Sequence, residues 1–137
     1  MNKIKKMGET PSYDLAGQII GLAMKVHSTL GGGFLESVYQ NALAFELTRA
    51  GMAFQTSVPL KVKYEGAIVG EFEADMLIAN TLIIENKAVQ TLAVAHEVQL
   101  VNYLTATGIN EGLLLNFGAE KLQFKKKFRT YRAAGPN

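Results

Sequence analysis

The chain has 137 residues, 48% of them hydrophobic and 19% charged, with a formal net charge of +2. That length suits one domain with a real core, near the lower limit for a mixed α/β enzyme, and the composition excludes a disordered polymer. No run of about 18 apolar residues could cross a membrane, no charged-then-apolar leader opens the chain, and zero cysteines exclude disulfides and thiolate zinc sites. An intracellular, cytoplasmic protein without a membrane partner is the expectation.

Charge is spread unevenly. Lys3, Lys5 and Lys6 open the chain, Lys121, Lys125, Lys126, Lys127, Arg129 and Arg132 close it, and most acids lie between them. Such asymmetry lets one face meet a polyanion, although a basic end is more often only a solvated face.

Residues before Pro11 are polar and read as a loose lead-in. Ser12 can cap a helix over residues 14–30, whose Leu15, Ile19, Leu22, Val26 and Leu30 share one face, widened by Ile20 and Ala23. Gly31-Gly32-Gly33 ends it. A second helix over residues 34–50 places Leu35, Val38, Ala42 and Phe45 inward and stops at Gly51. The period then changes to two. Phe54, Val58, Leu60, Val62 and Tyr64 alternate with polar residues, Glu65-Gly66 supplies a turn, and the chain runs through Val69 into a further hairpin. Residues 94–107 read as a third helix with Val94, Val98, Val101 and Leu104 inward, closed by Gly108. Residues 112–117 are continuously apolar, the pattern of a strand covered on both faces. In the last strand Leu122, Phe124 and Phe128 share one face, Lys121, Lys125, Lys127 and Arg129 the other, and Lys126 interrupts the apolar side. Residues 130–137 form a loose tail. The predicted order is α-α-β-β-β-β-α-β-β without repeats or linkers, a single domain of α/β (α+β) class with helices flanking a mixed sheet.

The chemistry concentrates in the hairpin. Asp75, Glu85 and Lys87 sit inside two apolar runs separated by Ala79-Asn80-Thr81. An unpaired charge is costly in such a setting. A three-residue loop centred on Asn80, which tolerates the left-handed conformation, sets position 75 opposite position 85. Directly opposed residues have Cβ atoms roughly 5 Å apart, so the carboxylates repel. Lys87 lies two residues on, hence on the same face. Two opposed carboxylates beside an ammonium make a half-site for a hard divalent cation, Mg²⁺ or Mn²⁺. The competing explanation is an edge hairpin that displays solvated charges against aggregation.

Three further groups carry weaker signals. His96, Gln99 and Tyr103 share one side of the third helix and could hold a phosphate or Lys87, or merely border a buried helix. Glu36 lies in the first turn of its helix, where the dipole alone accounts for an acid, and His27 near the end of the first helix gains similarly when protonated. The basic face of the last strand could pair with phosphates without sequence preference, although a charged edge is the commoner reason for it.

Together these pieces resemble a known family. Val26-His-Ser-Thr-Leu-Gly-Gly-Gly33-Phe-Leu-Glu36-Ser-Val-Tyr39 is similar to the hallmark of the GxxExxY proteins, assigned to the PD-(D/E)XK nuclease superfamily. Asp75…Glu85-Asn-Lys87 resembles that superfamily's catalytic pattern, and Gln99-Leu-Val-Asn-Tyr103 the Q-x-x-x-Y motif of its RecB-like branch. Ala74 stands where the superfamily name has proline, and Asn86 where an apolar residue is usual; Asn86 should point away from Glu85. The resemblance implies a restriction-endonuclease-like fold and phosphodiester hydrolysis with Mg²⁺. Asp75, Glu85 and Glu36 would be the metal ligands, Lys87 a catalytic residue that positions or activates water, and Gln99, Tyr103 and His96 substrate contacts. The partner it implies is nucleic acid, DNA before RNA, and so short a chain could need a second copy, a homodimer, to surround a duplex. A catalytically inactive nucleic-acid- or protein-binding domain on the same scaffold is the rival, which retention of a repulsive carboxylate pair argues against.

Overall fold

A computed structural model describes residues 14–130. The expected Ser12 cap, the loose lead-in, Lys3, Lys5, Lys6, Arg132 and the tail beyond Thr130 lie outside the described residues. The elements are α1 (Leu15–Leu30), α2 (Glu36–Arg49), β1 (Phe54–Tyr64), β2 (Ala67–Ile78), β3 (Leu82–Lys87), α3 (Val94–Thr107), β4 (Glu111–Asn116) and β5 (Gln123–Phe128). The mixed α+β class is as expected. One strand fewer precedes α3, because the run after the Glu65-Gly66 turn continues unbroken into the second hairpin as the 12-residue β2.

The five strands form one sheet in the order β1-β2-β3-β4-β5. All neighbours are antiparallel except β3 and β4. That parallel pair follows from α3, since parallel strands need a long crossover and here the crossover is a helix. β4 is an interior strand between β3 and β5, and residues 112–117 are buried, as a strand covered on both faces requires. β5 keeps the expected division of faces, with Lys126 3.9 Å from Asp14 at the start of α1 and Lys127 3.0 Å from Glu97 on α3.

Two apolar layers hold the sheet. Under α1 and α2 lie Ile19, Ala23, Val26, Tyr39, Leu43, Leu47, Met76, Ile78, Leu82, Ile84, Leu113, Leu115 and Phe117. Under α3 lie Ala74, Leu77, Ile83, Leu100, Leu104 and Leu114. Asp14, not a residue further upstream, caps α1 by accepting the Gly17 N–H at 2.9 Å.

Two helices differ in phase from expectation. α2 buries Tyr39, Leu43 and Leu47, whereas Leu35 and Phe45 are exposed and Val38 and Ala42 lie on its flank. Tyr39 decides this: its ring stacks on Phe117 at 4.9 Å between centroids, so a residue with a polar tip belongs to the core. α3 turns in Leu100 and Leu104, with Val101 half-buried and Val94 and Val98 exposed. Its polar residues His96, Glu97 and Tyr103 take the half-buried positions instead. Among the described residues no helix is long and apolar enough to cross a membrane.

Candidate active site

The loop of the second hairpin is as short as expected. Ala79 and Asn80 both have left-handed backbones, at φ 50° and 58°, and the Thr81 N–H returns to the Ile78 carbonyl at 2.9 Å. Pairing runs from Ile78 and Leu82 to Met76 and Ile84. There the ladder ends, and Asp75 and Glu85 follow in the next opposed position. Their side chains take over from the backbone: the Asp75 N–H donates to Glu85 Oε2 at 3.4 Å, and the Asn86 N–H donates to Asp75 Oδ2 at 2.8 Å.

β2 also rolls at this point. Phe72 stacks on Tyr103 of α3 and Ala74 packs beneath α3, yet Met76 and Ile78 belong to the layer under α1 and α2. Strict alternation would leave all four on one face. On the far side, the register of β1 and β2 skips the pair Ser57–Asp75, and Ser57 has φ 54°, a left-handed backbone uncommon for serine. Asp75 therefore sits at a break in pairing on both sides, where its carboxylate reaches a notch between β2 and β3.

The other expected residues converge on that notch. Glu36, at the start of α2, lies close enough to feel Asp75, Lys87 and His96, and the Ala88 N–H bonds to its carboxylate. Burial first, then the Asp75 charge, raises the Glu36 pKa, while Lys87, the Ala88 N–H and His96 oppose the rise. Asp75 is raised chiefly by burial, against the Asn86 N–H and Lys87. Glu85 is pushed up to about 8, first by burial and then by the Asp75 charge. The pair thus behaves as one coupled site that favours holding a proton. Among the described residues Lys87 makes no ion pair within 4.0 Å, although it acts on all three carboxylates. On α3, burial and then Glu85 raise the Tyr103 pKa, and its hydroxyl hydrogen-bonds with Gln99. The Ala93 N–H donates to His96 Nδ1 at 3.1 Å, which leaves Nε2 as the ring's donor.

Among the described residues no three acidic or imidazole side chains gather as a ready-made metal cluster. Asp75 and Glu85 are in contact, and Glu36 stands off on the Ala88 side.

A family model described as the PD-(D/E)XK nuclease superfamily matches residues 13–129. The chain belongs to the PD-(D/E)XK nuclease superfamily. No curated protein matches it. Of solved structures, SSO0001 is similar over 70% of this chain and 50% of its own, with 17% identity and a TM-score of 0.56. The chain thus spans half the length of SSO0001, and that likeness speaks for the fold. LHK-Exo, an alkaline exonuclease from Laribacter hongkongensis, is similar over 86% of this chain and 72% of its own, with 12% identity and a TM-score of 0.44.

Several residues that frame this candidate site were given no such role by sequence reasoning. The Tyr39 hydroxyl donates to the Gly31 carbonyl at 2.5 Å and accepts the Phe34 N–H at 3.1 Å, which ties the glycine loop down just before Glu36. His27 is buried rather than solvated at its helix end, with Nε2 3.0 Å from the Ala119 carbonyl. Behind Lys87, buried Asn116 accepts the Val89 and Gly118 N–H groups at 2.9 and 3.0 Å and donates to Gln123 at 2.8 Å. Gln123 accepts the Leu92 N–H at 3.2 Å. A Cβ on Gly118 would lie 2.5 Å from the Ala88 and Val89 backbone, so only glycine fits. The available signal was Asn116 inside an apolar run, since a buried amide must have partners.

Proposed function

We propose that this chain is a divalent-cation-dependent nuclease of the GxxExxY group that hydrolyses phosphodiester bonds in nucleic acid, DNA before RNA. The observation that carries the reading is the pair Asp75–Glu85, cross-bonded at the end of the ladder and elevated in pKa beside Lys87 and Glu36. Superfamily membership supports the same class of reaction.

The donor set suits Mg²⁺ or Mn²⁺. Both prefer oxygen, and Mg²⁺ usually takes one or two carboxylates while keeping several waters. Each carboxylate of the pair spends one oxygen on a backbone N–H, which leaves the other for an ion. Asp75 and Glu85 would hold the cation, with Glu36 completing the set. A bound cation supplies an acidified water and neutralises charge that develops on the phosphate. The remaining work belongs to the chain. Lys87 Nζ orients the attacking water and donates to phosphate oxygens. Tyr103, fixed by the stack on Phe72, and Gln99, hydrogen-bonded to it, contact the phosphate or steady Lys87. His96 offers Nε2–H from the side of Glu36. A cytoplasmic setting and a second copy around a duplex complete the reading.

Lys87→Ala tests it: Mg²⁺-dependent cleavage of labelled DNA and RNA should disappear while the melting temperature stays within a few degrees. Calorimetry with Mn²⁺ should detect binding by the wild type that Asp75→Asn weakens. Equal cleavage by Lys87→Ala and wild type, or no Mn²⁺ binding, refutes the reading.

A further inference from the structure

Four non-glycine residues among those described have left-handed backbones: Ser57, Glu65, Ala79 and Asn80. Glu65 lies in the turn between β1 and β2, and Ala79 and Asn80 form the loop between β2 and β3, where such a conformation is ordinary. Ser57, at φ 54°, lies inside a strand. Its side chain does not account for that, being exposed and without a hydrogen bond among the described residues. A left-handed non-glycine residue in a strand is strained, and such strain persists only where the surrounding structure holds it.

Both strands change sides at this point. Phe54 packs on the layer under α1 and α2, whereas Val58 and Leu60 pack on the layer under α3. Their partners across the ladder do the same, Ile78 lying with Phe54 and Ala74 with Val58. Even-numbered residues of a regular strand would all face one layer. β1 and β2 therefore roll over together, between the pairs Thr56–Met76 and Val58–Ala74, and the position enclosed by those pairs is Ser57 opposite Asp75. A side chain in a regular strand stands perpendicular to its sheet. At the roll Asp75 instead reaches along the sheet and accepts the Asn86 N–H of β3 at 2.8 Å. Glu85 Oε2 accepts the Asp75 N–H at 3.4 Å in return. The two carboxylates meet where β2 leaves the regular pleat.

We propose that Ser57 is a positioning residue: its left-handed backbone rolls β1 and β2 together and so turns the Asp75 carboxylate onto the Asn86 N–H, beside Glu85. The serine acts through its backbone and touches neither cation nor substrate. This deepens the nuclease reading, on which its consequence for the cation rests.

Two measurements on the full chain test it: calorimetry with Mn²⁺, and amide hydrogen exchange at Asn86 followed by NMR in metal-free buffer. Ser57→Gly and Ser57→Asn, which accept a left-handed backbone, should keep the Mn²⁺ affinity within about twofold and leave Asn86 protected. Ser57→Val, whose branched side chain resists that backbone, should weaken Mn²⁺ binding about tenfold or more, as loss of a supporting contact behind a metal ligand does. The same variant should speed exchange at Asn86 about tenfold, because the bond to Asp75 is lost. Ser57→Thr keeps the hydroxyl, adds the branch and should move both readouts in the same direction; it stands in if Ser57→Val fails to fold. Glu65→Val places the same strain in the turn after β1, so it should lower the melting temperature and leave both readouts at wild-type values. Wild-type Mn²⁺ affinity and Asn86 exchange in Ser57→Val and Ser57→Thr, equal changes in Glu65→Val, or loss of both in Ser57→Gly overturns the role of Ser57. Absence of Mn²⁺ binding by wild type overturns the nuclease reading instead, while exchange at Asn86 still decides what Ser57 does.

Discussion

Replacing Glu85 with glutamine removes one of the two opposed carboxylates while keeping an oxygen to accept the Asp75 N–H. In the folded chain the Glu85 pKa rises from 4.5 to about 8, owing to burial and then to Asp75. A raised acid means that the folded state holds its proton more tightly than the unfolded chain. The associated stability is complete below about pH 4.5 and is lost as the pH climbs through about 8. One pKa unit corresponds to about 1.4 kcal/mol, and sharing of the proton with Asp75 reduces the sum, so the loss is on the order of 2–4 kcal/mol. Glu85→Gln escapes it. Relative to wild type, the variant should be neutral at pH 4.5 and more stable at pH 9, by roughly 6–12 °C in melting temperature. Melts followed by circular dichroism in EDTA at several pH values give the comparison. The same variant should lose the stabilisation by Mg²⁺ or Mn²⁺ expected of the wild type, because the repulsion and the proposed cation site share the same atoms. A difference in melting temperature that is flat with pH, or a less stable Glu85→Gln at pH 9, refutes this account of the pair.

Gly118→Ala should destabilise the fold by about 2 kcal/mol or more and depress cleavage, because its Cβ would press on the Ala88–Val89 backbone next to Lys87; a wild-type melting temperature refutes the close approach. Asn86→Val should stabilise by about 1 kcal/mol, since the buried Asn86 Oδ1 has no hydrogen-bond partner among the described residues and Nδ2 meets Gln40 at 3.3 Å and the Met76 sulfur at 3.6 Å. Denaturant titration measures it, and a lower midpoint would show that the amide earns its place.

Much of the site was legible because local spacing governs it. The three-residue hairpin loop aligns Asp75 with Glu85, strand alternation keeps Lys87 on that side, and Asn86 faces α2 as its odd-even position requires. Helix ends were equally readable where glycine closes them, as at Gly31 and Gly108. Helix phase was less so. Val94 and Val98 are as apolar as any core residue, and although Leu104 faces inward as expected, periodicity alone could not tell that α3 would turn Leu100 to the sheet in their place.

What the sequence determined by itself is therefore short-range: which residues form each element, and which carboxylates oppose each other across one turn. What only the tertiary structure decided is how segments distant along the chain meet. The Phe117 ring draws Tyr39 into the core, and with it the loop that brings Glu36 to the notch. The roll of β2 at Asp75 depends on Ser57 across the ladder and on the two layers packed against opposite faces. Such contacts follow from packing of complementary surfaces, whose energy is summed over many partners and leaves no mark at any one position.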